Sequence, residues 1–196
     1  MSIIELQKVD NLLPTGFQNF LDRELENMNA WLYLDSASGI KDAYDPNDRN
    51  IVDSPQFTHM IFDPELGVTS PLFEYVKPIL WFLEDRTGYK AVELGRIKAN
   101  LLLPTNTKSN NYNPPHIDSG NKDYTSMVYY VNDSDGDTRI FNNHVEENYY
   151  DLKMIESNPP KKGSAILFPS TRFHCSSNPI NSKKRIILNF VFRLTL

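Results

Sequence analysis

The 196-residue sequence has a single cysteine, Cys175, and no long hydrophobic run. One cysteine excludes an internal disulfide framework and is typical of proteins from a reducing compartment. No window approaches the roughly 20 apolar residues that a membrane helix needs. Residues 1–10 also lack the basic and apolar regions of a signal peptide. We therefore expect a cytoplasmic protein that does not associate with membranes.

The sequence also has little net charge: 20 Lys and Arg residues and 25 Asp and Glu residues give a formal net charge of −5. Proteins with a large nucleic-acid footprint usually carry a basic stripe, so we do not expect nucleic acid as a partner. No repeat, low-complexity tract or linker composition divides the chain. These features predict one domain over residues 1–196.

The first 90 residues carry the helical patterns and are predicted to form a support region. One helix is predicted from a capping box at Thr15 and Gln18. A second is predicted from Ser70-Pro71 to Gly88, with a kink at Pro78. The same region contains one long polar stretch, predicted to be a surface loop, and two short strand patterns: Asp35 to Ser54, Trp31 to Leu34 and Phe57 to Phe62.

From residue 91 the pattern changes to short strands separated by turns rich in Asp, Asn, Gly and Pro. The predicted strands are Arg96 to Leu101, Thr125 to Val131, Thr138 to Phe141, Ser164 to Phe168 and Arg185 to Leu194. Helices followed by many short strands predict an α+β, mainly β chain. Residues 91–196 would form a double-stranded β-helix, a jelly-roll or cupin-like barrel, whose mouth is a natural ligand pocket.

Pro115-His116-Ile117-Asp118 and the distant His174 are the candidate metal ligands. In an extended segment, residues two apart point the same way, so His116 and Asp118 would face one cavity. Two imidazoles and one carboxylate leave three positions of an octahedral Fe(II) open for substrate and O₂. Taken separately, His116 and Asp118 could form a hydrogen-bonded pair in a loop, and His174 could be an unrelated histidine. Together they favour a metal-binding, catalytic site of His116, Asp118 and His174.

A second set of residues is predicted to bind an acidic co-substrate beside the metal. Alternation along the last strand places Arg185 and Asn189 on one face, where a guanidinium can bind a carboxylate through two hydrogen bonds. Arg185 can also be the solvated end of a basic cluster. Tyr130 can donate to the same carboxylate or serve as a buried structural tyrosine. Asn100 shares a strand face with Arg96 and Lys98, and this face either lines the cavity or is solvated.

Residues 94–194 resemble the Fe(II)/2-oxoglutarate-dependent dioxygenases, and within them the prolyl 4-hydroxylase-like group with its small viral members. The resemblance is carried by these runs in order: Pro115 to Asp118, Ser126 to Asp133, Asp135 to Phe141, Pro160 and Gly163 to Pro169, His174 and Arg185. It implies that His116, Asp118 and His174 bind Fe(II). It further implies that Arg185 binds the distal carboxylate of 2-oxoglutarate with Tyr130 beside it. The sequence departs from the group at Asp137, where many relatives have Gly or Glu, and in the Asn-rich loop from Pro104 to Asn113.

The resemblance implies an enzyme that hydroxylates an unactivated C–H bond of a small-molecule or peptidyl substrate. Its co-substrates would be O₂ and 2-oxoglutarate, its co-products succinate and CO₂, and ascorbate an accessory reductant. If the chain is viral, it would act in the host cytoplasm. Asp118 favours hydroxylation over halogenation, because related halogenases lack this carboxylate.

Three alternatives remain open at the level of sequence. A nucleic-acid demethylase of the same superfamily is disfavoured by the acidic balance and by the Arg185-to-Arg193 spacing. A zinc hydrolase on a cupin-like barrel would leave Arg185 without a purpose. A non-catalytic metal-binding or structural protein on the same barrel would bind metal without turning over 2-oxoglutarate. The long loops at residues 35–54 and 104–113 are either lids over the site or plain surface loops.

Overall fold

The computed structural model describes residues 4–38, 48–144 and 152–196. The helices in these ranges are α1 (Thr15–Glu26), α2 (Phe73–Val76) and α3 (Ile79–Thr87). The strands are β1 (Gln7–Val9), β2 (Leu32–Leu34), β3 (Gln56–Asp63), β4 (Gly67–Val68), β5 (Lys90–Leu102), β6 (Tyr124–Tyr130), β7 (Thr138–His144), β8 (Met154–Asn158), β9 (Ala165–Pro169), β10 (Arg172–Ser176) and β11 (Arg185–Thr195).

The strands form two antiparallel sheets. The major sheet has the order β1-β9-β6-β11-β5-β3-β2, with β4 paired to β3, and the minor sheet has the order β10-β7-β8. Strand β11 is central, since it pairs with β5 on one side and with β6 on the other. Two facing antiparallel sheets with non-sequential strand order are a jelly roll. This architecture confirms the predicted mainly β, double-stranded β-helix fold.

The two faces of the major sheet pack against different partners. One face of β11 joins a large hydrophobic core with side chains of α1 and α3: Leu21, Leu25, Ile79, Leu83, Ile186, Leu188, Phe190 and Phe192. The other face contributes Ile187 to a smaller cluster between the two sheets: Val128, Tyr130, Ile140, Ile166 and Phe168. The large core draws on residues from both sides of position 90. Because the helices cover one face, the inner face of the major sheet is left to build a cavity.

The predicted helices form, but three details differ: the capping box of the first, the start of the second, which is Phe73, and the continuity of the second at Pro78. Pro14 is the N-cap of α1, and no side chain caps it. Gln18 is buried and donates to the Leu13 carbonyl at 2.7 Å, so the predicted capping box does not exist. The second helix is interrupted at Pro78 into α2 and α3 rather than kinked, because proline cannot donate the hydrogen bond that would continue the first segment. It ends at Gly88 as predicted, with φ of 76°.

Each predicted strand is present with slightly different bounds, but β1, β4, β8 and β10 were not predicted. These strands have two to five residues, too few for a clear alternation of polar and apolar side chains. Strand β10 matters most, because it carries His174. Of the predicted loop at residues 35–54, residues 39–47 lie outside the described ranges. None of the described helices is long and apolar enough to cross a membrane.

Candidate functional site

The segment around His116 lies against β10 and brings the three predicted ligands together. His116 and His174 form an isolated antiparallel bridge, each main-chain N–H donating to the other's carbonyl at 2.9 Å. The main-chain N–H of Asp118 donates to the Ser170 carbonyl at 3.0 Å. The ligand atoms of His116, Asp118 and His174 consequently all lie within 4.8 Å of one another. A single ion with metal–ligand bonds of about 2 Å fits among them after a small inward movement.

Both imidazoles present the correct nitrogen to this centre. His174 Nδ1 lies 3.0 Å from the Arg172 carbonyl, and His116 Nδ1 lies 3.4 Å from the Pro114 carbonyl. A carbonyl oxygen can only accept, so Nδ1 carries the proton and the Nε2 lone pair is free to bind a metal. Burial lowers the pKa of His116 to about 3, so its ring is neutral at pH 7. Neutral imidazole is the form that ligates metals.

Asp118 is held as an anion by three donors from neighbouring strands. Arg96 forms an ion pair with Oδ1. Ser126 Oγ and Asn189 Nδ2 donate to Oδ2 at 2.6 and 3.0 Å. Burial by itself raises the pKa of Asp118, but the nearby His174 and the Arg96 guanidinium together bring this pKa well below its usual range. His174 Nε2 faces Asp118 Oδ2 at 3.4 Å, as two ligands of one ion would.

Arg96 is a site residue to which the sequence analysis assigned no role. It lies on β5, and its Nη2 contacts both the Asp118 carboxylate and Asn189 Oδ1, the latter at 3.1 Å. The available signal was its position on the polar face shared with Lys98 and Asn100. Asn189, predicted as a co-substrate residue, instead donates to the candidate metal ligand. Both residues therefore orient Asp118.

We expect Arg96→Met to weaken divalent metal binding by about 10- to 100-fold, the usual loss when an outer partner of a metal ligand is removed. The carboxylate would lose its fixed orientation as well as a compensating charge. Titration of the apoprotein with Co(II), followed by visible absorption, measures the effect. Arg193→Met is the matched control, because Arg193 forms an exposed ion pair with Glu93 on the same sheet. Equal affinity in both variants would contradict this role.

Arg185 does not point to solvent, since its residue is only 3% exposed. Its Nε donates to the Gly136 carbonyl and its Nη2 to Thr138 Oγ1, both at 2.7 Å. It makes no ion pair with any carboxylate in the described ranges. A buried guanidinium without a counter-ion is costly unless a ligand supplies the anion. Arg185 thus has the chemistry of a carboxylate-binding residue.

Tyr130 is fully buried behind Thr138, the arrangement expected of the buried structural tyrosine that was one of its two alternatives. Its hydroxyl donates to Thr138 Oγ1 and accepts from Asn158 Nδ2, both at 2.9 Å. Thr138 therefore accepts from both Tyr130 and Arg185, which leaves its own hydroxyl hydrogen to be donated elsewhere. Thr138 lines the cavity and Tyr130 is not among the lining residues. Thr138 is a second site residue that the sequence analysis missed.

These groups share one cavity, whose empty space of about 490 Å³ includes its open mouth. Its lining residues include the predicted ligands, the predicted co-substrate residues other than Tyr130, and several apolar side chains: Ala37, Gln56, Lys98, Asn100, Leu102, His116, Asp118, Val128, Thr138, His174, Cys175, Ser176, Arg185, Ile187 and Asn189. The metal-ligand set and the free guanidinium are therefore parts of one site.

The two other histidines, His59 and His144, and Asp137 are not among the described lining residues of this cavity. His59 contacts the Ala30 carbonyl and Ser70 Oγ, and His144 Nδ1 contacts Thr171 Oγ1 at 2.9 Å. Asp137 accepts from Ser157 Oγ at 2.5 Å. Of the two predicted lids, the loop at residues 35–54 contributes Ala37 to the described lining and the loop at residues 104–113 contributes none.

Comparison with known proteins shows what the region around this site is similar to. Residues 103–193, which contain the candidate ligands and Arg185, match the family model of the 2OG-Fe(II) oxygenase superfamily. No curated protein matches the chain at a comparable level. This match confirms the predicted resemblance to the 2OG-Fe(II) oxygenases over residues 103–193 of the 196-residue chain.

Solved structures share the fold across almost the whole chain. A 2OG-Fe(II) oxygenase family oxidoreductase from Burkholderia pseudomallei has a TM-score of 0.64 at 15% identity, covering 97% of this chain and 86% of that chain. A prolyl-4-hydroxylase from Pseudomonas putida has a TM-score of 0.53 at 15% identity, with 97% and 93% covered. The α-ketoglutarate-dependent epimerase SnoN from nogalamycin biosynthesis has a TM-score of 0.62 at 13% identity, with 95% and 76% covered. At these identities the likeness shows the fold alone.

Proposed function

We propose that this protein hydroxylates an unactivated C–H bond of a small-molecule or peptidyl substrate in the cytoplasm, with 2-oxoglutarate and O₂ as co-substrates. The observation that carries the proposal is the joint placement, in one cavity, of a His-Asp-His set and a buried guanidinium that forms no ion pair with a described residue. Either half alone would fit other proteins. A metal site beside an anion site matches a co-substrate that is both a chelator and a dicarboxylate.

In this proposal His116, Asp118 and His174 hold Fe(II). When bound, Fe(II) supplies the O₂ chemistry that converts 2-oxoglutarate to succinate and CO₂ and oxidises a C–H bond. The two histidines offer Nε2 because main-chain carbonyls hold their Nδ1 protons. Arg96, Ser126 and Asn189 keep the Asp118 carboxylate aimed at the centre.

The opposite end of the cavity would bind the distal carboxylate of 2-oxoglutarate. Arg185 provides the charge. Thr138 Oγ1 already accepts hydrogen bonds from Arg185 and Tyr130, so the Thr138 hydroxyl would donate its hydrogen to the carboxylate. Tyr130 acts through Thr138 rather than on the carboxylate. Val128 and Ile187 line the space between and exclude water, which strengthens both charge interactions.

Anaerobic addition of Fe(II) and 2-oxoglutarate tests the proposal. We expect a visible metal-to-ligand charge-transfer band, followed by O₂-dependent formation of succinate when air is admitted, with ascorbate sustaining turnover. A folded protein without the band would contradict the proposal. A band without succinate formation under air, over a range of candidate substrates, would favour the non-catalytic binding protein on the same barrel. Zn(II)-dependent hydrolysis without either signal would favour the hydrolase.

Gly136→Ala is expected to raise the half-saturating concentration of 2-oxoglutarate by about 10- to 100-fold, because a charge-assisted hydrogen bond is worth roughly 1.5–3 kcal/mol. A methyl group on Gly136 would lie 2.5 Å from the Ser177 carbonyl oxygen, so the turn must move. That movement displaces the Gly136 carbonyl, which accepts from Arg185 Nε. Gly16→Ala is the control, since no atom lies within 4 Å of its added methyl group. Unchanged 2-oxoglutarate dependence in a folded Gly136→Ala protein would exclude this support of Arg185.

A further inference from the structure

Lys98 projects from β5 into the cavity between two residues already described, Arg96 and Asn100. It lies in register with Asn189 on the neighbouring strand. No hydrogen bond or ion pair joins its ammonium group to a residue in the described ranges. Burial, and secondarily the Arg96 charge, lowers the pKa of Lys98 to about 8, so most of the ammonium remains protonated at pH 7. The cavity therefore holds a second cation that forms no ion pair with a described residue.

The charges of the proposed co-substrate do not account for Lys98. Among the described lining residues Asp118 supplies the carboxylate, and Arg96 pairs with it. This leaves Lys98 and Arg185 as cations that form no ion pair with a described residue, next to a site proposed to hold a divalent ion. 2-Oxoglutarate brings two carboxylates, of which one would bind Arg185 and the other would lie at the metal. Lys98 remains available for an anion from another molecule.

Asn100 adds a hydrogen-bond acceptor whose orientation is determined by its neighbours. Gln56 Nε2 donates to the main-chain carbonyls of Ser36 and Ala37 at 3.2 and 2.8 Å, and a carbonyl can only accept. Gln56 Oε1 must therefore accept from Asn100 Nδ2, at 2.6 Å. Asn100 Oδ1 is left buried, with no donor in the described part of the chain. A buried acceptor of this kind favours a ligand that brings an N–H or O–H group.

We propose that Lys98 and Asn100 form the recognition subsite for the primary substrate, binding a free carboxylate and an adjacent N–H or O–H donor, respectively. The primary substrate is then a small α-amino or α-hydroxy acid rather than an internal peptide segment, whose main chain has no free carboxylate. This inference rests on the proposed function, because it places the substrate beside the proposed metal and 2-oxoglutarate. Lys98 supplies charge for specificity and takes no part in the reaction at the metal.

The test begins with the wild-type protein carrying Fe(II) and 2-oxoglutarate without O₂. The twenty L-amino acids and the matching α-hydroxy acids are added singly, each beside its carboxamide, and the charge-transfer band and subsequent succinate formation are recorded. We expect at least one acid to shift the band and accelerate succinate formation, and its amide to do neither. In Lys98→Met the half-saturating concentration of that acid should rise by about tenfold or more, as expected for loss of a charged partner.

The 2-oxoglutarate dependence of Lys98→Met should stay within about twofold of wild type, since the distal carboxylate is assigned to Arg185 and not to Lys98. Lys98→Arg should retain most of the response to the acid. Lys90→Met on the same strand is the charge-matched control, because Lys90 is exposed. Absence of the band before any acid is added would defeat the proposed function itself.

With the band present, three results would overturn the subsite. The first is that no acid changes the band, and the second is that amides act as well as acids. The third is that Lys98→Met weakens 2-oxoglutarate binding as strongly as it weakens the acid, which would assign Lys98 to the co-substrate.

Discussion

Replacing His174 with alanine is expected to abolish both the Fe(II)–2-oxoglutarate band and succinate formation. His174 is the ligand on β10 that faces Asp118 Oδ2 at 3.4 Å, and its loss leaves only His116 and Asp118, from one short segment. Removal of an outer partner costs about 10- to 100-fold in metal affinity, so loss of a ligand itself should cost at least about 100-fold. At micromolar Fe(II) the site would then be largely empty, and turnover should fall below detection.

His59→Ala is the matched control for this substitution, because the His59 ring contacts Ala30 and Ser70 outside the cavity. It should retain the band and the rate of succinate formation. Thermal unfolding of both variants separates loss of the metal from loss of the fold. If His174→Ala were folded and bound Fe(II) as tightly as wild type, the His-Asp-His assignment would be wrong.

Arg185→Met is expected to raise the half-saturating concentration of 2-oxoglutarate by about 30-fold or more while Fe(II) affinity changes little. Truncating one member of a buried, hydrogen-bonded charge pair costs roughly 2–5 kcal/mol, and each 1.4 kcal/mol is tenfold in affinity. The guanidinium is held by Gly136 and Thr138, so its orientation is set before the co-substrate binds. The band titrated with 2-oxoglutarate at fixed Fe(II) measures the change.

Arg185→Lys separates charge from geometry at the same position. It keeps a cation but loses the planar fork that binds a carboxylate through two parallel hydrogen bonds, so its affinity should lie between wild type and Arg185→Met. Fe(II) binding, followed in the absence of 2-oxoglutarate, should be equal in the three proteins. A selective loss of Fe(II) affinity in Arg185→Met would mean that Arg185 supports the metal centre rather than the co-substrate.

Site residues that lie within one extended segment were predicted from the sequence, whereas those whose role depends on pairing between strands were not. His116 and Asp118 are two positions apart in an extended segment, and Arg185 and Asn189 share one face of a long strand. Both are local consequences of the period-two geometry of extended chain. Arg96 lies 22 positions from Asp118, and Thr138 lies 47 positions from Arg185. Pairs of this kind depend on which strands become neighbours and in which register.

The depth at which Tyr130 lies in the barrel does not follow from the alternation of strand faces. Strand alternation puts Tyr130 on the same face of β6 as Val128, and both lie in the cluster between the sheets. Its depth below the cavity wall depends on Thr138 and Asn158, which approach from the minor sheet. No periodicity within β6 contains that information. The same holds for the amide orientation of Asn100, which depends on Gln56 from β3.

By itself the sequence determined the mainly β fold, the strand carrying Arg185, and the residue types of a His-Asp-His metal site, because these follow from local alternation and side-chain chemistry. Only the tertiary structure decided that Arg96 pairs with Asp118, that Thr138 stands between Tyr130 and the cavity, and that Lys98 has no anionic partner among the described residues. The physical reason is that strand pairing across the chain, which sets each side chain's partners and desolvation, is a property of the packed sheets and not of any one segment.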